Sequence, residues 1–249
     1  MKTVAGIILA GGEGKRMNSK TVNKVCTLFH GKPLILYGVD LLKSVTHPIV
    51  IVIGAYADSV KNTLKNESVV YAYQEKRLGT AHAVQMALPS VPLTDLIIVG
   101  YGDHMMFYHP EIIRNLIHAH DGDDIGISMV TVNHDDPDML SWGRIIRGPD
   151  DLITGIVEQK DANEQERRTK EVNAGLYCFN TQFLRECIGM VKPSSVSGEL
   201  YLTDLIKIAV EKGKKITGLK VPFEDVGIGI NNQNDLVVSQ ELHKNNHNW

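Results

Sequence analysis

"AGIILAGGEGKRM", residues 5–17, runs as an apolar stretch to Ala10, breaks into Gly11, Gly12 and Gly14, and ends on Lys15 and Arg16 before Met17. The apolar part has the length and composition of a buried strand. Glycines let backbone amides approach an anion closely, and adjacent cations offset its charge, so a polyanion such as a nucleoside triphosphate is the first candidate ligand. Two common glycine loops are excluded. The dinucleotide fingerprint needs a third glycine where this chain has Met17, and a phosphate loop of the G-x-x-x-x-G-K-[ST] type needs glycine at Leu9 and a hydroxyl at Arg16. A strand-to-helix turn that uses glycine for positive φ remains the alternative for this segment taken alone.

Outward from this stretch, Val- and Ile-rich runs at 4–9, 49–54, 96–100 and 125–132 alternate with helix-like stretches at 33–45, 57–65, 79–88 and 110–120. This alternation predicts an α/β fold with a mainly parallel sheet. From about residue 143 the rhythm tightens to "GRIIRG", "LITGIVE" and "VNAGLYCF", followed by an amphipathic helix expected over 200–213. The chain therefore divides into a nucleotide-binding half, about 1–122, and a sugar- or substrate-binding half, about 123–236, within a single domain. Residues 237–249 read as a solvated polar tail that includes His243 and His247, and "EQKDANEQERRTKEV" as a mobile, charged connection. The clusters "DGDD" at 121–124 and "HDDPD" at 134–138 lack the order of a calcium loop and read as turns.

The 249 residues, 43% of them hydrophobic, suffice for a large core, and the formal net charge of −3 provides no general attraction to nucleic acid or anionic lipid. Any anion site must be local. No stretch has the roughly 20 apolar residues of a membrane span. Three cysteines, Cys26, Cys178 and Cys187, fit neither a disulfide framework nor a zinc site, and the expectation is a cytoplasmic protein with no nucleic-acid or membrane partner.

Further landmarks join the opening loop in order: "NKV" with Lys24, "QEKRLGTAHA" from Gln74, "VGYGDHM" around Asp103, "GRIIRG", "IVEQKDA" around Glu158, "EVNAGLY" around Asn173, "GELYLTDL" and "GIGINN" around Asn231. This ordered set resembles the nucleotidyltransferase domain of bifunctional N-acetylglucosamine-1-phosphate uridylyltransferase, from about residue 4 to about 236. The resemblance implies a Rossmann-like fold and transfer of a nucleotidyl group, uridylyl by preference, onto a sugar 1-phosphate with release of pyrophosphate. Such a reaction joins two polyanions in line, so positioned cations must do most of the catalytic work.

Residue by residue, the resemblance implies that Ala10, Gly11, Gly12 and Gly14 hold the nucleotide, and that Arg16 and Lys24 meet its phosphates. Gln74, Arg77, Gly79 and Thr80 would lie at the base. Asp103 and Asn231 would hold Mg²⁺, two oxygen donors sufficing because that ion takes its other ligands from water and phosphate. Tyr101, Gly143, Glu158, Asn173, Tyr201 and Thr203 fall in the sugar and sugar-phosphate pocket.

Some positions depart from the resembled pattern. Gly11 replaces the second alanine of a pair, Lys15 a threonine, Asn23 a proline and Arg77 a glutamine, and the acetyltransferase half is absent from this sequence. These changes bear on substrate identity more than on reaction class. Another pyrimidine nucleotide, another phosphorylated acceptor, and a catalytically silent sensor of nucleotide sugars are the alternatives; Arg16, Lys24, Asp103 and Asn231 together argue against silence.

Overall fold

The computed structural model describes residues 2–14, 17, 21–122 and 124–246. In chain order, the first half carries β1 (Val4–Ala10), β2 (Leu28–Phe29), β3 (Lys32–Pro33), α1 (Leu34–Leu42), β4 (Ile49–Ile53), α2 (Ala57–Thr63), β5 (Val70–Tyr73), α3 (Thr80–Ala87), β6 (Leu96–Tyr101) and α4 (Pro110–His118). The remainder carries β7 (Ile125–Asn133), β8 (Arg144–Arg147), β9 (Ile153–Val157), α5 (Glu164–Arg167), β10 (Glu171–Asn180), α6 (Thr181–Cys187), α7 (Asp204–Glu211), β11 (Lys215–Lys220) and α8 (Gln233–Asn246).

Among the described residues nine strands form one sheet, with the path β11-β7-β10-β6-β1-β4-β5 and with β8 and β9 branching from β10. β1 runs parallel to both β4 and β6, whereas β10 runs antiparallel to β6 and β7, so the sheet is mainly parallel but mixed. Its centre is covered on both faces. Every residue of β1 and β4 is buried, which explains why these strands read as continuous apolar runs rather than alternating ones. Each buried Ile or Val here contributes on the order of 1.5–3 kcal/mol relative to exposure.

Two strands carry no such signal. β5 and β11 lie at the two ends of the path, and their side chains are mostly part-exposed, so neither needs an unbroken apolar sequence.

The structure also corrects three expectations. The predicted tail is instead α8, and His243 is only 6% exposed, its ring lying 5.2 Å from that of Phe29 and 5.1 Å from that of Phe107; His247 lies outside the described residues. Within the charged connection, Asn163 accepts from the amides of Gln165 and Glu166 while Glu166 accepts from the Asn163 amide, a capping box that starts α5. The helix expected from 200 begins only at Asp204, because the Leu200 backbone is already committed: its N–H donates to Leu78 O (2.7 Å) and its carbonyl accepts from Ala81 N (2.9 Å).

Candidate functional site

Parallel strands end together, and the ends of β1, β5 and β6 open into a cavity of about 280 Å³ lined by Ala10, Gly11, Gly12, Lys24, Gln74, Arg77, Gly79, Thr80 and Asp103. This is the carboxyl edge of the sheet, where α/β folds place their ligands. The loop after β1 is held from behind by Asn23, whose side chain is buried among backbone carbonyls. Next to it, a short 3-10 turn, Lys24–Cys26, presents Lys24 to the cavity. Gly14 has φ +60°, and a Cβ there would come 2.8 Å from Lys24 Cβ, so glycine is required by both backbone and space.

Lys24 Nζ forms an ion pair with Asp103 and donates to Asn231 Oδ1 at 3.2 Å. Both side chains of the ion pair are 16% exposed. Two hard oxygen donors thus converge on one cationic point, which is the chemistry a small divalent ion requires. Among the described residues no cluster of three or more His, Cys, Asp or Glu is placed to hold a metal, so phosphate oxygens and water would have to complete the shell.

On the opposite wall, Gln74 Nε2 donates to Gly79 O at 2.9 Å and lies 3.1 Å from His82 Nδ1. Because a carbonyl can only accept, this bond fixes the amide's orientation and leaves Oε1 on the side of Gly11, 3.0 Å from where a Cβ would stand. Gly79 has φ +120° and packs against the Leu200 backbone, while Leu202 N donates to Thr80 Oγ1 at 2.9 Å. The segment 78–81 is therefore strapped to 200–202. Arg77 reaches across the mouth of the cavity to an ion pair with Glu13.

Two further cavities adjoin the first: one of about 760 Å³ containing Glu158 and Tyr201, and one of about 170 Å³ containing Gly143, Glu158, Asn173, Asp103 and Asn231. Tyr101 lines all three. Burial, reinforced by nearby Glu158, pushes the pKa of its hydroxyl well above the usual phenol range. Asn173 Nδ2 in turn donates to Tyr177 Oη at 2.6 Å. Residues four apart on a regular strand are roughly 13 Å apart at 3.3 Å per residue, so this contact demands a defect. The β10 register shifts between Asn173 and Tyr177, and Gly175 at φ +75° admits the Tyr101 ring where a Cβ would clash at 2.8 Å.

Glu158 accepts from Thr203 Oγ1 at 2.7 Å, and burial raises its pKa despite that bond. The wall beside it depends on Arg144, fully buried, which donates to Trp142 O (2.5 Å), Arg167 O (3.2 Å) and Asp138 Oδ1 (2.8 Å). Trp142 lines the smallest of the three cavities, and its ring packs, tilted by 50°, with its centroid 4.8 Å from that of His104, a ring whose pKa burial lowers.

Every described residue named from the sequence lies on these three cavities except Gly14 and Thr203, which touch them through Lys24 and Glu158. Arg16 lies outside the described residues. Sequence reasoning passed over Asn23 as a functional residue, and also Tyr177 and Trp142. Tyr177 sits in an apolar strand pattern that reads as core, and nothing local marks it out; the polar-aromatic spacing of Asn173 and Tyr177 around Gly175 is the one available signal.

A mixed, mainly parallel sheet with a glycine loop, a lysine and a carboxylate at its carboxyl edge defines a nucleotide-handling α/β protein. The chain belongs to the nucleotidyl transferase family, whose model matches residues 5–229. It is 35% identical over 243 residues to the bifunctional protein GlmU of Clostridium kluyveri, covering 96% of this chain and 52% of that protein. It thus spans about half the length of the curated relatives it matches, consistent with their pyrophosphorylase domain. Among solved structures, a UDP-glucose pyrophosphorylase complexed with UDP-glucose superposes with TM-score 0.77 at 18% identity, covering 98% of this chain and 99% of that one. The inositol-1-phosphate CTP transferase from T. maritima superposes with TM-score 0.74 at 20% identity, covering 99% and 97%. These two share the Rossmann-like nucleotidyltransferase fold.

Proposed function

We propose that this chain transfers a nucleotidyl group from a nucleoside triphosphate, UTP by preference, to a sugar 1-phosphate, N-acetylglucosamine 1-phosphate first among them. The observation that carries this reading is the junction at Tyr101: a cavity built on the glycine loop and Lys24 meets, at one residue, two cavities walled by Glu158, Asn173 and Trp142. The first region, about 1–122, would take the nucleotide and the second, about 123–236, the sugar.

An acceptor phosphate oxygen attacks the α-phosphorus; the new P–O bond forms as the α–β bridging P–O bond breaks, and pyrophosphate leaves with the electron pair. No side-chain nucleophile is needed. Lys24, together with Arg16 by resemblance, offsets the phosphate charge, and the loop 10–14 holds the triphosphate in place. Asp103 and Asn231 would hold Mg²⁺, which when bound neutralises phosphate oxygens as they approach. Glu158 accepts from sugar hydroxyls and Asn173 meets the acetamido group. Gln74 and the 77–80 segment face the base.

A screen of nucleoside triphosphates against sugar 1-phosphates with Mg²⁺, read by pyrophosphate release, tests the reading. UTP with N-acetylglucosamine 1-phosphate is expected to give the highest kcat/KM. Release from no pair, with nucleotide binding retained, would replace it with a catalytically silent nucleotide-sugar sensor.

A further inference from the structure

Asn23 carries more than one turn can account for. It is 1% exposed, and its Nδ2 lies 3.0 Å from Ala10 O, 3.0 Å from Gly12 O and 2.8 Å from Ala55 O, while its Oδ1 accepts from Val25 N at 3.1 Å. Its own N–H donates to Ser59 Oγ at 2.9 Å, and that hydroxyl donates to Tyr56 O at 2.7 Å. One short planar amide therefore joins the end of β1, the glycine loop, the segment after β4 and the turn that bears Lys24, and the backbone N–H of the same residue adds α2. Few side chains can do this, because the position needs two N–H donors and an acceptor on one small group.

The consequence lies on the other side of the loop. The carbonyls of Ala10 and Gly12 are turned toward Asn23, and the Gly11 carbonyl accepts from Ala55 N at 3.2 Å. In a trans peptide the following N–H points opposite to the C=O. The N–H groups of Gly11, Gly12 and Glu13 are thus turned away from Asn23 and Ala55, which is the orientation an anion cradle requires.

We propose that Asn23 is a positioning residue for nucleotide binding: by holding the peptide planes on either side of Gly11–Gly12, the Ala55 carbonyl beside them and the Lys24 turn with one amide, it sets the backbone donors and the Lys24 cation in register for a single polyphosphate. This rests on the nucleotidyl-transfer reading for the identity of the ligand. It predicts that damage at Asn23 is selective for the nucleotide and spares the acceptor, whose cavities are lined chiefly by residues 141–143, 158–160, 173–175 and 199–201.

The test compares Asn23→Asp and Asn23→Ser with the wild type. Asp keeps the shape and the cap to Val25 but loses the donors, and Ser keeps a capping oxygen if Asp does not fold. UTP affinity is measured by calorimetry without acceptor, and KM for each substrate by pyrophosphate release. The expected result is UTP binding weakened at least about tenfold, as loss of several buried hydrogen bonds should cause, with the acceptor KM changed less than about twofold. Unchanged UTP affinity in a folded variant overturns the proposal, as does an equal loss for both substrates tracking a fall in Tm, which would make Asn23 a general structural residue. If the wild type binds UTP but transfers it to no sugar phosphate, the transfer reading fails while the calorimetric comparison still decides the role of Asn23.

Discussion

The two sides of the site spend their polar side chains differently. Around the glycine loop, Asn23 and Gln74 donate to backbone carbonyls, so that the backbone there is held by side-chain amides, Asn23 from behind and Gln74 with its Oε1 left over for a ligand. Around Glu158 and Asn173, side chains bond to one another: Glu158 to Thr203 and Asn173 to Tyr177. A backbone-built site is set by fold and tolerates little change, whereas a side-chain-built wall can be re-cut by single substitutions. Lys24 lines the loop cavity, Asn231 the smallest one, and Asp103, the ion-pair partner of Lys24, lines both.

The largest effect is therefore expected where the regions meet. Asp103→Ala should lower kcat by at least about a hundredfold, the scale of a lost charge clamp, and wild-type turnover should stop in chelator. Full activity in chelator would break the picture of a shared centre. Lys24→Ala should cost about tenfold to a hundredfold in kcat/KM with an unchanged far-UV circular dichroism spectrum, since its contacts are polar and local. If kcat/KM is unchanged, Lys24 belongs to neither substrate.

A subtler effect separates the regions by pH. Burial raises the Glu158 pKa above its ordinary value of about 4.3. The ionised form is the one disfavoured by folding, so Glu158 costs stability above its raised pKa, and that cost is relieved as the pH falls through it. Acceptor binding has the opposite sign: a protonated Glu158 loses acceptor capacity, so the acceptor KM should rise as pH falls through the same window. Glu158→Gln should raise the acceptor KM by about tenfold at neutral pH and flatten this profile. A nucleotide KM that moves in step would erase the distinction between the two walls.

The contrast also explains what could be read in advance. β1, β4 and β6 announce themselves because strands buried on both faces must be apolar throughout, and Asp103 is placed by following directly on one of them. Asn23 is invisible for the converse reason: its importance comes from carbonyls at 10, 12 and 55, and carbonyls have no sequence signature. The α8 helix was hidden because its buried contacts are few and partly polar, Ser239 and His243 among them, although their four-residue spacing beside Leu236 is a helical stripe. Tyr177 needed the β10 bulge, a defect made by distant register rather than by local pattern.

The smallest expected effect concerns Arg77, which sits on the rim of the backbone-built cavity yet is itself held by a side chain, Glu13. The pair is partly solvated, with Arg77 46% exposed, so its contribution to stability is small. Its value lies in direction. A guanidinium only donates, whereas the fixed Gln74 amide leaves its Oε1 to accept, so the rim favours a base that offers carbonyl oxygens beside an N–H, as uracil and thymine do. Arg77→Gln should leave Tm within about 1 °C, the scale of an exposed ion pair, and change the ratio of kcat/KM for UTP over CTP by several-fold. A ratio that does not move would assign base choice to Gln74 and the backbone alone, extending to the rim the rule that governs the rest of that cavity.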